Sequence, residues 1–209
     1  PTRPRLGWGS PRFVADHPEG TVFHQPRWLQ AVAQGTGNRA LALVCERRGE
    51  ICAWLPLSEV HSPIFGRLLA SSGFAVGGGV LALGDIAAAS VIAAAEELAQ
   101  RRSCPTIELR GGAMPEHRSG WDVQAQSHCG FAWDIAEDDE AQLLAIPRKQ
   151  RAEVRKGLEK DLTIHVGSAR EDRDAHYGVY AQSVRNLGTP VFPRGLFEDT
   201  PDLHRFVAH

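Results

Sequence analysis

The chain has 209 residues, of which 43% are hydrophobic and 23% charged, and its formal net charge is −2. These values suit a globular protein with a sizeable core and exclude one that is strongly basic overall. No apolar run approaches the roughly 18 to 20 residues of a membrane-spanning helix, and the opening Pro1-Thr2-Arg3-Pro4-Arg5 leads into no apolar signal core, so a cytoplasmic protein is expected.

The first helix is expected over residues 23–33, with Pro26 in its first turn, Trp28, Leu29 and Val32 on one face, and Gly35 and Gly37 as stop signals. Two apolar runs, 40–47 and 51–60, flank Arg48-Gly49-Glu50 in the pattern of a β-hairpin. Further extended segments are expected at 64–69 and 74–83, split by Ser71-Ser72-Gly73 and interrupted by Gly77-Gly78-Gly79. The triple glycine lacks the spacing and the Lys-Ser/Thr of a phosphate-binding loop. It reads instead as a kink or a close approach of backbones.

A long helix follows, capped by Asp85 and running to Arg102, with Arg101 and Arg102 placed favourably at its C-terminus. Residues 105–110 alternate as a strand does, 111–120 read as loop, and 121–135 suggest two short strands around Cys129-Gly130. Residues 138–160 are helical in pattern and broken by Pro147; 162–166 read as a strand. Another helix begins at Asp172 or Asp174 and runs to Arg185, ended by Gly188 and Pro190. Thr200-Pro201 then opens an amphipathic helix that stops at His209, so the chain is expected to be the front part of a longer protein. This order suits an α/β (α+β) layered domain with a mixed sheet flanked by helices.

Cys45, Cys52, Cys104 and Cys129 form no C-x-x-C pair and are expected to be small buried hydrophobes. The nine histidines show no H-x-H or H-E-x-x-H spacing, so no metal site is expected.

Two segments carry chemistry. Residues 148–160 hold six basic residues against two acidic ones, a local +4. On a helix Arg148, Arg151 and Arg155 share one stripe, and Lys149, Lys156 and Lys160 form the next. Such a face can clamp phosphate oxygens, and it also suits a merely solvated helix. Residues 177–197 gather Tyr177, Tyr180, Ser183, Arg185, Asn186 and Arg194 around a turn containing Gly188 and two prolines, Pro190 and Pro193. That is either a ligand-contact loop or a stiff connector. His176 and His204 are expected to be surface or packing residues, and no general base is evident.

Together the two segments resemble the FemAB-like (FemABX) family, in particular its PEP-CTERM/exosortase-associated branch. The likeness rests on Pro147-Arg148-Lys149-Gln150-Arg151 with Val154-Arg155-Lys156-Gly157, and on Val179-Tyr180 with Ser183-Val184-Arg185-Asn186-Leu187-Gly188-Thr189-Pro190-Val191-Phe192. Phe74-Ala75-Val76-Gly77-Gly78-Gly79 also fits. The resemblance implies two tandem GNAT-like acyltransferase domains: a first at 1–137, a basic helix and connecting strand at 138–166, and the truncated start of a second at 167–209. It implies an acyl or aminoacyl transferase acting on a peptidoglycan or exopolysaccharide precursor, inactive as this fragment alone. Aminoacyl-tRNA or acyl-CoA would be donor substrate, with no tightly bound cofactor. Arg148, Arg151, Arg155, Lys156, Tyr177, Tyr180, Arg185, Asn186 and Arg194 would then contact an anionic substrate. The chain has no acyl-CoA pyrophosphate loop of the Q/R-x-x-G-x-G/A kind. The alternative is a non-catalytic module that grips RNA, such as a tRNA, with the basic helix.

Overall fold

The computed structural model describes residues 3–7, 11–64, 66–114, 120–124, 129–131, 133–163 and 165–198. Two compact units divide the chain: Pro1–His117 with Ser168–His209, and Arg118–Gly167.

The first unit is built on a six-stranded mixed sheet. β1 (Arg3–Leu6), β2 (Arg39–Arg47), β3 (Glu50–Ser62) and β4 (Gly66–Ser71) are antiparallel neighbours in that order. β5 (Leu81–Ala82) also lies against β3, and β6 (Thr106–Glu108) runs parallel to β4. The β2–β3 hairpin forms where expected. Its turn places Arg48 at φ 57° and Gly49 at φ 85°, the paired positive φ that matches the twist of the flanking strands.

β2 and β3 are buried continuously, from Leu41 to Cys45 and from Cys52 to Ser58, so both faces of the sheet are covered. On one face Ala42, Val44 and Trp54 cluster with Leu81, with Val14 from α1 (Pro11–Asp16) and with Leu29 from α2 (Pro26–Thr36). Alternation sends Leu41, Leu43 and Leu55 to the other face. There α3 (Asp85–Arg102) packs across β1, β2 and β3 with its alanine-rich stripe, Ala87, Ala88, Val91, Ile92, Ala95 and Leu98. Small side chains allow that helix to lie close to the strands.

Several expected boundaries shift. The first helix resolves into a 3-10 turn, Val22–His24, followed by α2, which starts on Pro26 and ends at Gly37 in the left-handed region. Gly84, not Asp85, is the N-cap of α3. Of the extended stretch 74–83, only Leu81–Ala82 forms a strand, because the glycine run before it closes on the 111–112 backbone, where Val80 makes a single bridge. The described residues of 121–135 and 162–166 contain no strand; their alternating apolar residues Val123, Phe131, Ile135, Leu162 and Val166 are exposed and meet no neighbouring strand among the described residues. β1 and α1 were not expected, their sequences being short and charged. Residues 200–209, including His204, lie outside the described residues.

Past residue 167, α6 (Arg170–Asn186) and the short α7 (Gly195–Glu198) belong to the first compact unit. α7 docks on α2 at a point where a Cβ on Gly35 would come within 2.7 Å of the Leu196 backbone. Leu196 joins Ala31 and Val32 in a small core that Trp28, Phe74 and Phe197 flank.

The second unit carries α4 (Asp139–Ala145) and α5 (Arg148–Leu158), separated at Pro147 as the sequence implies. Asp138 caps α4 by accepting the Ala141 N–H at 2.7 Å. No described residue of this unit is buried. Cys45, Cys52 and Cys104 are buried as expected, whereas Cys129 is exposed. It lies in the unit that has no buried residue among those described.

Candidate functional site

In the first unit the sheet is interrupted on one side of β3. β4 leaves β3 after the Leu57–Ser71 pair, and β5 rejoins it at Trp54–Leu81, so residues 72–80 make an excursion beside the middle of β3. The Ser72 N–H still reaches the Pro56 carbonyl at 3.1 Å. Interrupting a central strand pair exposes backbone groups that need other partners, and here side chains supply them. The Ser72 hydroxyl donates to the Phe23 carbonyl, and the Gly73 N–H donates to Ser58 Oγ at 3.1 Å. Trp28 Nε1 donates to the Gly73 carbonyl at 3.3 Å. Ser58, Ser71 and Ser72 are buried serines, each occupied in this way, Ser71 by accepting the Arg110 N–H at 2.8 Å. Ser72 (φ 42°) and Phe74 (φ 59°) hold left-handed backbone without being glycine, a local strain that the surrounding bonds fix in place.

Arg110 ties β6 to this excursion. Its guanidinium donates to the Ala75 carbonyl at 3.0 Å and pairs with Glu108 at 2.7 Å. Beyond it the two segments touch backbone to backbone: Val80 bridges Gly112, and a Cβ on Gly79 would overlap the Gly111 carbonyl. The glycine run thus serves close approach.

His24 sits under the same loop. It is 3% exposed, its carbonyl accepts Trp54 Nε1–H at 2.8 Å, and its Nδ1 accepts the Thr21 N–H at 3.2 Å. Nε2 has no hydrogen-bond partner among the described residues. Burial pushes its pKa down to about 4; the Gly79 backbone pulls the other way, and His17 adds to the depression.

Of the sequence-predicted residues of 177–197, Tyr177, Tyr180 and Arg194 come together in an aromatic cluster that Phe74 of the loop excursion joins. Phe74 packs edge-on against Phe192 with centroids 5.0 Å apart, and Tyr180 and Tyr177 stack in turn against Phe197 at 5.0 and 5.1 Å. Tyr177 OH donates to the Phe192 carbonyl at 3.2 Å, while the Phe192 N–H donates to Tyr180 OH at 3.4 Å. Both hydroxyls therefore clip the 187–194 turn onto α6. Arg194 pairs with Asp174 at 2.8 Å and lies 5.7 Å over the Tyr177 ring. Arg185 and Asn186 stand exposed in the last turn of α6, without a side-chain partner among the described residues. His176 is exposed and packs edge-on against Phe197, as expected of a packing residue.

In the second unit the basic residues of α5 divide by role. Arg151 folds back across Pro147, donating from Nη2 to the carbonyls of Leu144 at 2.8 Å and Ile146 at 3.0 Å. It closes the C-terminus of α4, where carbonyls lack helical partners. Lys156 pairs with Glu153 at 2.8 Å on the surface. Arg148, Lys149 and Arg155 are exposed and make no ion pair among the described residues. The described residues contain no cluster of His, Cys, Asp and Glu fit to hold a metal ion.

Sequence reasoning missed the buried serines, Phe74 and Arg110. Ser71-Ser72-Gly73 read only as a break between strands, and nothing local to Arg110 marks it as the tie to Ala75.

No protein-family model matches the chain, and no curated protein matches it. Among solved structures, the crystal structure of FemX superposes with a TM-score of 0.58 at 18% identity, covering 95% of this chain and 54% of FemX. A ribosomal-protein-alanine N-acetyltransferase from Brucella melitensis biovar Abortus 2308 gives a TM-score of 0.37 at 15% identity over 64% of this chain and 100% of its own, a superposition too loose to carry weight. The mixed sheet flanked by helices matches the fold of FemX, and the chain spans about half of FemX's length. No helix among the described residues is long and apolar enough to cross a membrane.

Proposed function

We propose that the chain forms the front part of a FemAB-like acyl or aminoacyl transferase whose acceptor is an anionic cell-envelope precursor. The observation that carries this reading is the FemX fold, matched over 95% of the chain; the basic and tyrosine-rich blocks that resemble the family add to it. In this reading residues 1–137 are the first of two GNAT-like domains, 138–166 a connector, and 167–209 the opening of the second, with peptidoglycan or exopolysaccharide units as the acceptor class. Transfer of this kind needs an amine held against an activated carbonyl and a base or water to take its proton. The residues free to hold anionic groups are Arg148 and Arg155 on α5 and Arg185 with Asn186 on α6. Lys156 is one exposed ion pair away from the same role. Arg151, Tyr177, Tyr180 and Arg194 shape the backbone around them. The buried serines already have partners in the fold, so no nucleophile is assigned to them. The donor is aminoacyl-tRNA or acyl-CoA, and the chemistry takes place in the cytoplasm, where such donors are found.

The test supplies full-length protein with labelled aminoacyl-tRNA or acyl-CoA and a nucleotide-linked peptidoglycan precursor. Label should move to the precursor from one donor. Arg155→Ala and Arg185→Ala should each lower kcat/KM by about tenfold or more, the loss of a charge-assisted contact. Unchanged transfer in both variants would show the site assignment wrong, and no transfer from either donor would remove the transferase reading. The unpaired Arg148, Lys149 and Arg155 favour one other reading, RNA binding without chemistry. It requires tRNA affinity that falls steeply with salt, together with no transfer.

A further inference from the structure

A cleft of about 500 Å³ lies between the edge strand β1 and the last turn of α3. It is lined by Pro4, Leu6 and Leu98 and by three arginines, Arg5, Arg101 and Arg102. None of these residues belongs to the loop excursion, the aromatic cluster or the basic helix. Two carboxylates stand against the three cations. Glu46 bonds Arg5, and Glu59 faces Arg102 Nε at 3.9 Å, too far for a hydrogen bond. Arg101 is exposed and has no partner among the described residues. Favourable placement at a helix C-terminus accounts for Arg101 and Arg102. Arg5 arrives from a strand nearly a hundred residues earlier, is held there by Glu46 of β2, and adds a third arginine to the rim. Low-dielectric walls beside three guanidinium-bearing residues, of which only Arg101 has no carboxylate beside it among the described residues, concentrate an attractive field for anions, and the planar Arg fork matches phosphate oxygens two at a time.

We infer that this cleft binds a phosphate group carried on an apolar body, the phosphate at Arg101 and Arg5 and the apolar part over Pro4 and Leu6. A membrane phospholipid headgroup and a soluble organic phosphate share that chemistry.

The test titrates the whole chain with hexyl phosphate, inorganic phosphate and hexanol by calorimetry, and separately sediments it with phosphatidylglycerol or phosphatidylcholine vesicles. Hexyl phosphate should bind saturably and about tenfold or more tighter than inorganic phosphate, since the apolar tail adds burial to the anion contact. Arg101→Ala, at an exposed and unpaired position, should leave the thermal melt in place and weaken hexyl phosphate about tenfold. Arg101→Lys should recover only part of that loss. Sedimentation with phosphatidylglycerol vesicles alone, lost in Arg101→Ala, identifies a lipid; hexyl phosphate binding without sedimentation identifies a soluble phosphate. The proposal falls if hexyl phosphate binds no more tightly than inorganic phosphate, or if Arg101→Ala binds it as the parent does.

Discussion

Trp54 is fully buried, and its indole N–H reaches the His24 carbonyl at 2.8 Å, so one side chain both fills the core and satisfies the turn before α2. Trp54→Ala should cost about 3–5 kcal/mol by cavity formation alone. Trp54→Phe keeps most of the volume and strands the carbonyl, for about 1–3 kcal/mol; urea unfolding of both variants separates packing from the hydrogen bond. His24 makes stability depend on acidity. Its folded pKa, about 4, lies below its ordinary 6.5, so the unfolded chain takes up the proton first as pH falls. The contribution is fully present above pH 6.5, is lost between 6.5 and 4, and is flat below; its full size is about 3 kcal/mol. Urea midpoints measured from pH 7.5 to 4 should fall across that window in the parent and less in His24→Gln. Arg151 gives the lesson in the other direction: its charge was legible in the sequence, but the carbonyls of Leu144 and Ile146 that occupy it were not, because they depend on how Pro147 turns the chain.

Among elements, those with strong local signals were readable. The hairpin announces itself through Arg48-Gly49, α3 through a long alanine-rich run with arginines at its end, and the α4–α5 break through Pro147. What failed was alternation taken alone. Val123, Phe131 and Ile135 alternate as strand residues do and remain exposed, since a period of two cannot say whether a partner strand exists. The candidate site was half legible for the same reason: α6 and its tyrosines stand in one contiguous segment, while Phe74, Ser72 and Arg110 reach it only through tertiary contacts. The glycine run gives a prediction on this scale. Gly79→Ala would drive a methyl group into the Gly111 carbonyl, a backbone atom that cannot swing away. It should destabilise the unit by about 2 kcal/mol or more, whereas Gly130→Ala, with open space around it, should be close to neutral in the same denaturation assay.

At the scale of the molecule, the two compact units differ in kind. The first has two covered sheet faces; the second has no buried side chain among its described residues. Helices of seven and eleven residues are too short to persist in water without packing. A peptide of residues 118–167 should therefore show weak helicity by circular dichroism and no cooperative melt. A sharp thermal transition in that peptide would contradict this account.

The seat of α7 on α2 has a consequence for the order of events in the cell. Gly35 leaves the synthesising ribosome about 160 residues before Leu196 arrives to cover Ala31 and Val32. At about 5 to 20 residues per second, the nascent chain carries that bare patch for roughly 8 to 30 seconds. Through that interval it is open to chaperones and to neighbouring chains on the same messenger.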